Sequence, residues 1–303
     1  MNLAKKKTVG RFAPSPTGTL HFGSLVAAVG SYVLARQAAG KWLLRMEDID
    51  TPRVVPGAAD SILAELEAYG FEWDGDVLYQ SSRFERYEEV LQWLRSRGLL
   101  FDCGCTRKEI LASAPAPGEE GPRYPGTCRQ GLPPGRHPRA QRIKVPDGLF
   151  CFIDGVFGAV EQHLADAVGD FVLKRADGIY AYQLAVVIDD IDCGVNQVVR
   201  GADLLSSTAR QIYLHACLDA VPPKYIHLPL ALGGDDEKLS KRHGDFGLDH
   251  NDQSANLIQA LKFLGQNPVA DLSGAPAEEI LRWAIDNFVL KDIPQVPVRA
   301  DQL

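Results

Sequence analysis

The sequence predicts an α/β fold built on a doubly wound parallel sheet and interrupted by an inserted module. Three observations carry that expectation. Thr8 to Ala13 is a short strand-like run that passes through a Pro/Gly turn into a long apolar stretch and then a second strand-like run, Trp42 to Met46. This is the β-loop-α-β opening of such a sheet. Ala181 to Ile191 is a near-continuous apolar run ending in acids, the mark of a buried parallel strand or of a core helix end. Between them, residues 103–140 lose sustained periodicity and concentrate three Cys and seven Pro.

A helix starts near His21, runs to about Gln37 and is stopped by Gly40. Asp60 to Tyr69 places Ile62, Leu63, Leu66 and Tyr69 on one helical face, and Gly70 ends it. Ser82 and Glu85 read as an S-x-x-E capping box ahead of a helix carrying Phe84, Tyr87, Leu91 and Leu94, with Gly98 as its stop. Strand-like pieces return at Gln141 to Val145 and near Phe171 to Arg175. Asp203 to Thr208 reads as the cap of a helix reaching about Leu218. Two helices close the chain, one after Ser254 and one from about Ala277 to Leu290. The expected organisation is a catalytic half-domain at 1–100, an inserted module at 101–170, a second half at 171–235, and a loop with C-terminal helices at 236–303.

Composition bounds the function classes. With 303 residues, 46% hydrophobic and 23% charged, the chain is neither collagenous, coiled-coil nor globally disordered. No run approaches the roughly 18 apolar residues that span a bilayer, and the basic start Met1 to Lys7 lacks the apolar region of a signal peptide. A cytoplasmic location is expected. The net charge of −7 disfavours a wide nucleic-acid grip and leaves room only for a local basic patch. Cys151, Cys193 and Cys217 read as scattered, buried, inert thiols.

Two motifs carry chemistry. Ala13-Pro-Ser-Pro-Thr-Gly-Thr-Leu-His-Phe-Gly-Ser24 joins strand to helix, and a helix N-terminus favours an anion through its free N–H groups and dipole. Neither a Walker A loop nor G-x-G-x-x-G is present, so this is not the usual phosphate loop. Glu237-Lys-Leu-Ser-Lys-Arg-His-Gly244 is a Gly-bounded cationic arm, able to neutralise charge developing on a polyphosphate. Taken singly, the first reads as a tight turn with a capping His and the second as a solvated charged loop.

Together the two resemble the paired signature motifs of class I aminoacyl-tRNA synthetases. His21-Phe-Gly-Ser24 stands where that family has "HIGH", and Lys238-Leu-Ser-Lys-Arg242 where it has "KMSKS". Ser24 replaces the last His and Arg242 the last Ser. Arg11-Phe-Ala-Pro-Ser-Pro-Thr-Gly18, Arg45-Met-Glu-Asp-Ile-Asp50 and the Tyr182 to Arg200-Gly-Ala-Asp203 region resemble the glutamyl branch. The resemblance implies a Rossmann-type catalytic sheet that activates L-glutamate with ATP, accompanied by Mg²⁺. It places His21, Gly23 and Lys241 on ATP, with Lys238 assisting Lys241 in the transition state. The glutamate pocket would be Arg11, Ser15, Glu47, Tyr182 and Arg200. Guanidinium forks suit the two carboxylates, Glu47 suits the ammonium, and Ser15 and Tyr182 supply hydroxyls.

Cys103, Cys105 and Cys128 fall within one short irregular segment and are good Zn²⁺ ligands, although C-x-C is tighter than the usual spacing. On chemistry alone, His137 or Asp102 would complete the set. The glutamyl-queuosine synthetase group has a C-x-C…Y-x-x-x-C pattern, and that resemblance implies Tyr124 instead, with one Zn²⁺ per chain. The segment after Arg242 reads as two helices and a Pro-rich tail, without the large anticodon-binding region of discriminating glutamyl-tRNA synthetases. The same resemblance implies activation without tRNA and transfer of glutamate to queuosine at the wobble position of tRNA(Asp). Nothing in the sequence demands a dimer, so a monomer is expected, and the lack of a long apolar run leaves no membrane partner expected. The competing expectation is a minimal glutamyl-tRNA synthetase that charges a tRNA 3′ end.

Overall fold

The computed structural model describes residues 7–113, 122–232, 248 and 252–299. Strand β1 (Val9–Phe12) runs parallel to β2 (Lys41–Met46), with Val9 opposite Lys41 and Phe12 opposite Leu44. Helix α1 (Phe22–Gln37) makes the crossover between them. It is apolar nearly all round because its neighbours cover it nearly all round: Leu25, Val29, Val33 and Ala35 are completely buried. Gly40 ends it for a steric reason. A Cβ there would sit 2.5 Å from the Thr8 carbonyl oxygen, and that oxygen must accept from Lys41 N to start β2.

Helix α2 (Ala58–Ala68) buries Ala58, Ile62 and Leu66. The short β3 (Leu78–Tyr79) extends the sheet parallel to β2. Helix α3 (Phe84–Ser96) comes next. Its expected capping box does not form. A 3₁₀ turn occupies Gln80–Ser82, and the Ser82 hydroxyl donates to the Tyr79 carbonyl at 2.7 Å. Arg83 therefore precedes the helix without a side-chain cap. The local carbonyl competes for the hydroxyl and wins.

From residue 100 to residue 174 the strands pair antiparallel. This stretch contains β4 (Leu100–Cys103), α4 (Arg107–Ser113), β5 (Ala140–Ile143), β6 (Leu149–Asp154), β7 (Gly158–His163), α5 (Leu164–Ala167) and β8 (Val172–Lys174). β5 lies between β4 and β8, and β6 pairs with β7 as a hairpin from Leu149↔His163 to Asp154↔Gly158. The hairpin turns Leu149, Cys151 and Ile153 outward. Cys151 is therefore exposed, against the expectation of a buried thiol, whereas Cys217 is buried and Cys193 half-buried.

The acid-ended apolar run is helix α6 (Tyr182–Asp192), in which Gln183 to Asp190 are all buried. Burial on every side removes the periodicity that would have separated helix from strand. β9 (Gln197–Gly201) and β10 (Lys224–Leu228) are parallel, with α7 (Thr208–Cys217) between them. Ala202–Ser207 forms a 3₁₀ turn, so the expected cap at Asp203 to Thr208 places no side-chain cap on α7. Asn196 stitches β9 to β1: its amide N–H donates to the Val9 carbonyl at 3.0 Å and its side-chain oxygen accepts from Val9 N at 2.9 Å. β9 thus lies beside β1, and the chain winds outward from this pair both ways, to β2 and β3 on one side and to β10 on the other. In open parallel sheets this switch point is where ligands bind.

The last described elements are β11 (Ala231–Leu232), α8 (Gln253–Phe263), α9 (Ala277–Asn287) and β12 (Val298–Arg299), with β11 parallel to β12. The core under α1 centres on Trp42, which is completely buried. Its ring stacks on Phe12 and Phe71 and meets Tyr32 edge-on at 5.1 Å. Its indole N–H donates to Ser31 Oγ at 3.0 Å, so the polar handle is satisfied. No helix among the described residues is long and apolar enough to cross a membrane.

Trp42→Ala should lower stability by about 3–5 kcal/mol, through lost transfer energy and a cavity. Urea denaturation monitored by far-UV circular dichroism measures it. A loss under about 1 kcal/mol would contradict this placement of the core.

Candidate active site and thiol cluster

The turn after β1 delivers His21 to the first position before α1. Its Nδ1 accepts from Ser24 N at 3.2 Å, and its Nε2 lies 3.0 Å from Ser24 Oγ. Ser24, where the signature motif has His, thus fixes the His21 ring. Gly23 keeps the space against that ring open; a Cβ would come to 3.3 Å of it. Ser15 is exposed at the mouth of the turn, and its carbonyl accepts from Thr17 N. A sixteen-residue helix begins here, with its unpaired N–H groups facing the same region.

Behind the turn, two strands each contribute a buried guanidinium. Arg11 Nε lies 3.4 Å from Asp190 Oδ1, and Arg45 Nη1 donates to the same oxygen at 2.7 Å. Arg11 Nη1 also reaches the Val199 carbonyl at 3.4 Å. Arg45 Nη2 pairs with Glu47 Oε1 at 3.5 Å. Glu47 is itself held by its backbone N–H on the Pro14 carbonyl.

The two carboxyls respond in opposite directions. Burial pushes Glu47 above the ordinary carboxylate range, and Arg45 and Arg11 offset only part of that. Burial acts the same way on Asp190, but Arg45 and Arg11 outweigh it and hold Asp190 below that range. Tyr182, in the first turn of α6, has its phenol raised by burial and by the nearby Glu47 charge, with Arg200, Arg11 and Arg45 opposing. Arg11, Glu47, Tyr182 and Arg200 therefore share one electrostatic neighbourhood.

Arg200, on β9, is more constrained than a free fork. Nε donates to His227 Nε2 at 3.1 Å and Nη1 to Gln211 Oε1 at 2.7 Å. Nη2 donates to Thr208 Oγ1 at 2.9 Å and to the Leu204 carbonyl at 3.3 Å. Four of its five N–H donors are committed, which leaves one on Nη1 for a ligand. Arg11 retains more donors, enough for a two-toothed grip on a carboxylate.

The second constellation lies at the end of β4. The ligand atoms of Cys103, Cys105 and Cys128 lie within 4.8 Å of one another, and Cys105 Sγ is 3.7 Å from Cys128 Sγ. The Tyr124 hydroxyl is 3.4 Å from Cys103 Sγ, 4.0 Å from Cys105 Sγ and accepts from Cys128 N at 2.8 Å. Thiolates on a tetrahedral Zn²⁺ at about 2.3 Å stand about 3.8 Å apart, so the donor set fits that ion. Asp102 faces away and pairs with Arg95 at 2.7 Å, and His137 is exposed. Tyr124 is thus the neighbour placed to complete the set. Burial would raise Cys103, but Tyr124 and Arg142 bring it below the usual thiol value; burial and its sister thiols push Cys105 up to about 11.

The profile of the tRNA synthetases class I (E and Q), catalytic domain, matches residues 7–287. The chain belongs to this family. A glutamyl-Q tRNA(Asp) synthetase of Dechloromonas aromatica is 56% identical, over 94% of this chain and 95% of that protein. One of Geobacter sulfurreducens is 53% identical, over 94% and 93%. A crystal structure of a glutamate tRNA ligase from Elizabethkingia meningosepticum, in complex with its amino acid, superposes with a TM-score of 0.80 at 25% identity. It covers 97% of this chain and 67% of that one. As a class I synthetase the protein is an ATP-using ligase of the aminoacyl-tRNA synthetase type.

For this class I synthetase, the sequence motifs gave a role to Glu47 but none to Arg45, Asp190, Asp154 or His227. Arg45 and His227 carried a signal. A charged or titratable residue embedded in an apolar run must find a buried partner, and Trp42-Leu-Leu-Arg-Met46 and Tyr225-Ile-His-Leu228 are such runs. Lys238 and Lys241 lie outside the described residues.

Asp190→Asn should destabilise this class I synthetase by about 3–5 kcal/mol, because two buried guanidinium groups lose their shared charge. The Asp190 contribution is fully present above its unfolded value near 4 and is lost as pH falls through its lower folded value. Urea melts at pH 7 and at about pH 3 should therefore show the variant's deficit shrinking with acid. An equal deficit at both would contradict an ionised Asp190.

Proposed function

We propose that this class I synthetase activates L-glutamate with ATP in the absence of tRNA, then transfers it to queuosine at the wobble position of tRNA(Asp). The observation that carries the proposal is near full-length similarity, at 48–56% identity, to proteins named glutamyl-Q tRNA(Asp) synthetase. The pocket chemistry agrees with it. Glutamate brings two carboxylates and one ammonium. Arg11 and the free N–H of Arg200 meet the carboxylates, Glu47 takes the ammonium, and Ser15 and Tyr182 donate or accept beside them. An arriving ammonium favours ionised Glu47, which burial otherwise disfavours.

In the first step an α-carboxylate oxygen attacks the α-phosphorus of ATP. One O–P bond forms, one breaks, and pyrophosphate leaves. The residues position and neutralise rather than react. His21, Gly23 and the start of α1 line the phosphate side, and Lys238 and Lys241 counter the developing charge, with Mg²⁺ on the nucleotide. In the second step a queuosine hydroxyl attacks the mixed anhydride and releases AMP, giving an ester on the nucleoside. We assign residues 1–100 and 171–235 to the catalytic domain, 101–170 to the insertion, and 236–303 to the loop and closing helices, in a monomer. Cys103, Cys105, Tyr124 and Cys128 would hold one Zn²⁺, which would cross-link an insertion with a small core of its own.

Labelled glutamate should attach to tRNA(Asp) that carries queuosine and not to tRNA(Asp) that lacks it. The label should be lost in mild alkali and should survive removal of the 3′-terminal nucleoside. Label recovered on the terminal adenosine would overturn the reading and favour ordinary charging, the activity named for the Elizabethkingia neighbour. ATP–pyrophosphate exchange with glutamate should need no tRNA.

Metal analysis of protein purified without chelator should find one zinc per chain. Cys103→Ser should release it and expose the 101–170 segment to protease. Protein with no zinc would defeat the metal assignment and leave the glutamate pocket untouched.

A further inference from the structure

Arg200 is held by a chain of groups that ends in the insertion. Its Nε always carries a hydrogen, so His227 Nε2, at 3.1 Å, must accept. The single ring hydrogen of a neutral His227 then sits on Nδ1, facing Asp154 Oδ2 at 2.6 Å. Asp154 stands at the end of β6, completely out of solvent together with His227. Its other oxygen, Oδ1, accepts from Val156 N and Phe157 N at 3.0 Å and from His227 N at 3.3 Å. The hairpin tip is seated on β10 by Gly155, whose N–H donates to the Tyr225 carbonyl. A Cβ at Gly155 would come to 2.8 Å of the Ile226 side chain.

We propose that Asp154 and His227 are positioning residues for Arg200: the carboxylate fixes the His227 tautomer, and the tautomer aims the one uncommitted Arg200 N–H at the substrate. This deepens the proposed function and rests on its placement of Arg200 in the glutamate pocket. Burial and the adjacent Arg200 charge keep His227 neutral despite Asp154, which agrees with an accepting Nε2. The insertion thereby contributes a buried residue to the amino-acid pocket of the catalytic domain, which a module serving only as a tRNA contact would not need to do.

Asp154→Asn tests this with almost no change of shape. Three backbone N–H groups already claim the Oδ1 position, so the amide oxygen must take that side. The amide NH₂ then faces His227 Nδ1 as a donor. His227 is driven to the Nε2–H tautomer, which sets donor against donor at Arg200 Nε; a wrong-tautomer defect of this kind leaves geometry intact. In glutamate-dependent ATP–pyrophosphate exchange, the KM for glutamate should rise about 10- to 100-fold, while the KM for ATP stays within about twofold. The melting temperature should fall moderately, since opposed buried donors are costly, so the split between the two KM values and the tautomer carry the test. Long-range ¹H–¹⁵N spectra of ¹⁵N-histidine protein should show His227 protonated on Nδ1 in the wild type and on Nε2 in the variant.

An unchanged glutamate KM overturns the proposal, and so does an equal rise in both KM values, which is what a general structural role would give. Wild-type His227 protonated on Nε2 overturns it even if the variant fails to fold. Wild-type protein that shows no glutamate-dependent exchange overturns the pocket assignment first and this inference with it. That outcome is visible before any variant is made.

Discussion

Asp190 is the interaction on which the rest of the molecule depends. Its carboxylate is buried on α6 and takes Arg11 from β1 and Arg45 from β2, partners 179 and 145 residues away in sequence. A buried charge without partners costs several kcal/mol, and three such charges in one place are tolerable only if they meet. The segments that carry these three residues must therefore find each other across the long stretches of chain that separate them. The shared carboxylate makes any other docking expensive. It specifies the assembly more than it stabilises it, since a well-packed apolar trio would serve stability as well.

That constraint also explains why the site lies where it does. The winding of the chain reverses between β1 and β9, and Asn196 closes the seam between them. In open parallel sheets such a switch point puts ligands at the carboxyl ends of the strands. The His21 turn follows β1, Glu47 follows β2, Arg200 lies near the end of β9 and Tyr182 starts α6. The rigid parts of the site stand on strands and helix starts, and His21 is fixed by Ser24 rather than left to a loop. Positioning chemistry needs such rigidity more than it needs any single reactive group.

Much of this was legible in the sequence, and the parts that were not share a cause. His21 as a helix start, Gly40 as a stop and the Trp42 to Met46 strand are fixed by local chemistry, and the structure has them. The capping box at Ser82 failed because a nearer carbonyl, that of Tyr79, took the hydroxyl. β9 and β10 escaped notice because each is five residues long and carries a titratable residue, Arg200 or His227, at its fourth position. That interruption hides the strand from pattern reading. The partners that make it tolerable, Gln211, Thr208 and Asp154, lie elsewhere in the chain. Asp154 sits on a hairpin with no sequence signal strong enough to place it.

Glu47 and Asp190 show how one cluster of guanidinium groups can support two kinds of carboxylate. Asp190 receives Arg45 at 2.7 Å and Arg11 at 3.4 Å, so the protein itself supplies all the counter-charge it needs. Its ionisation is settled before any ligand arrives. Glu47 has one looser pairing, to Arg45 at 3.5 Å, and burial prevails over it. Its charge is left for an incoming cation to stabilise. Environments that drive neighbouring carboxyls apart in this way divide their roles. The carboxylate satisfied within the fold ties β1, β2 and α6 together, and the one left unsatisfied is the one to which the proposed function gives the ammonium.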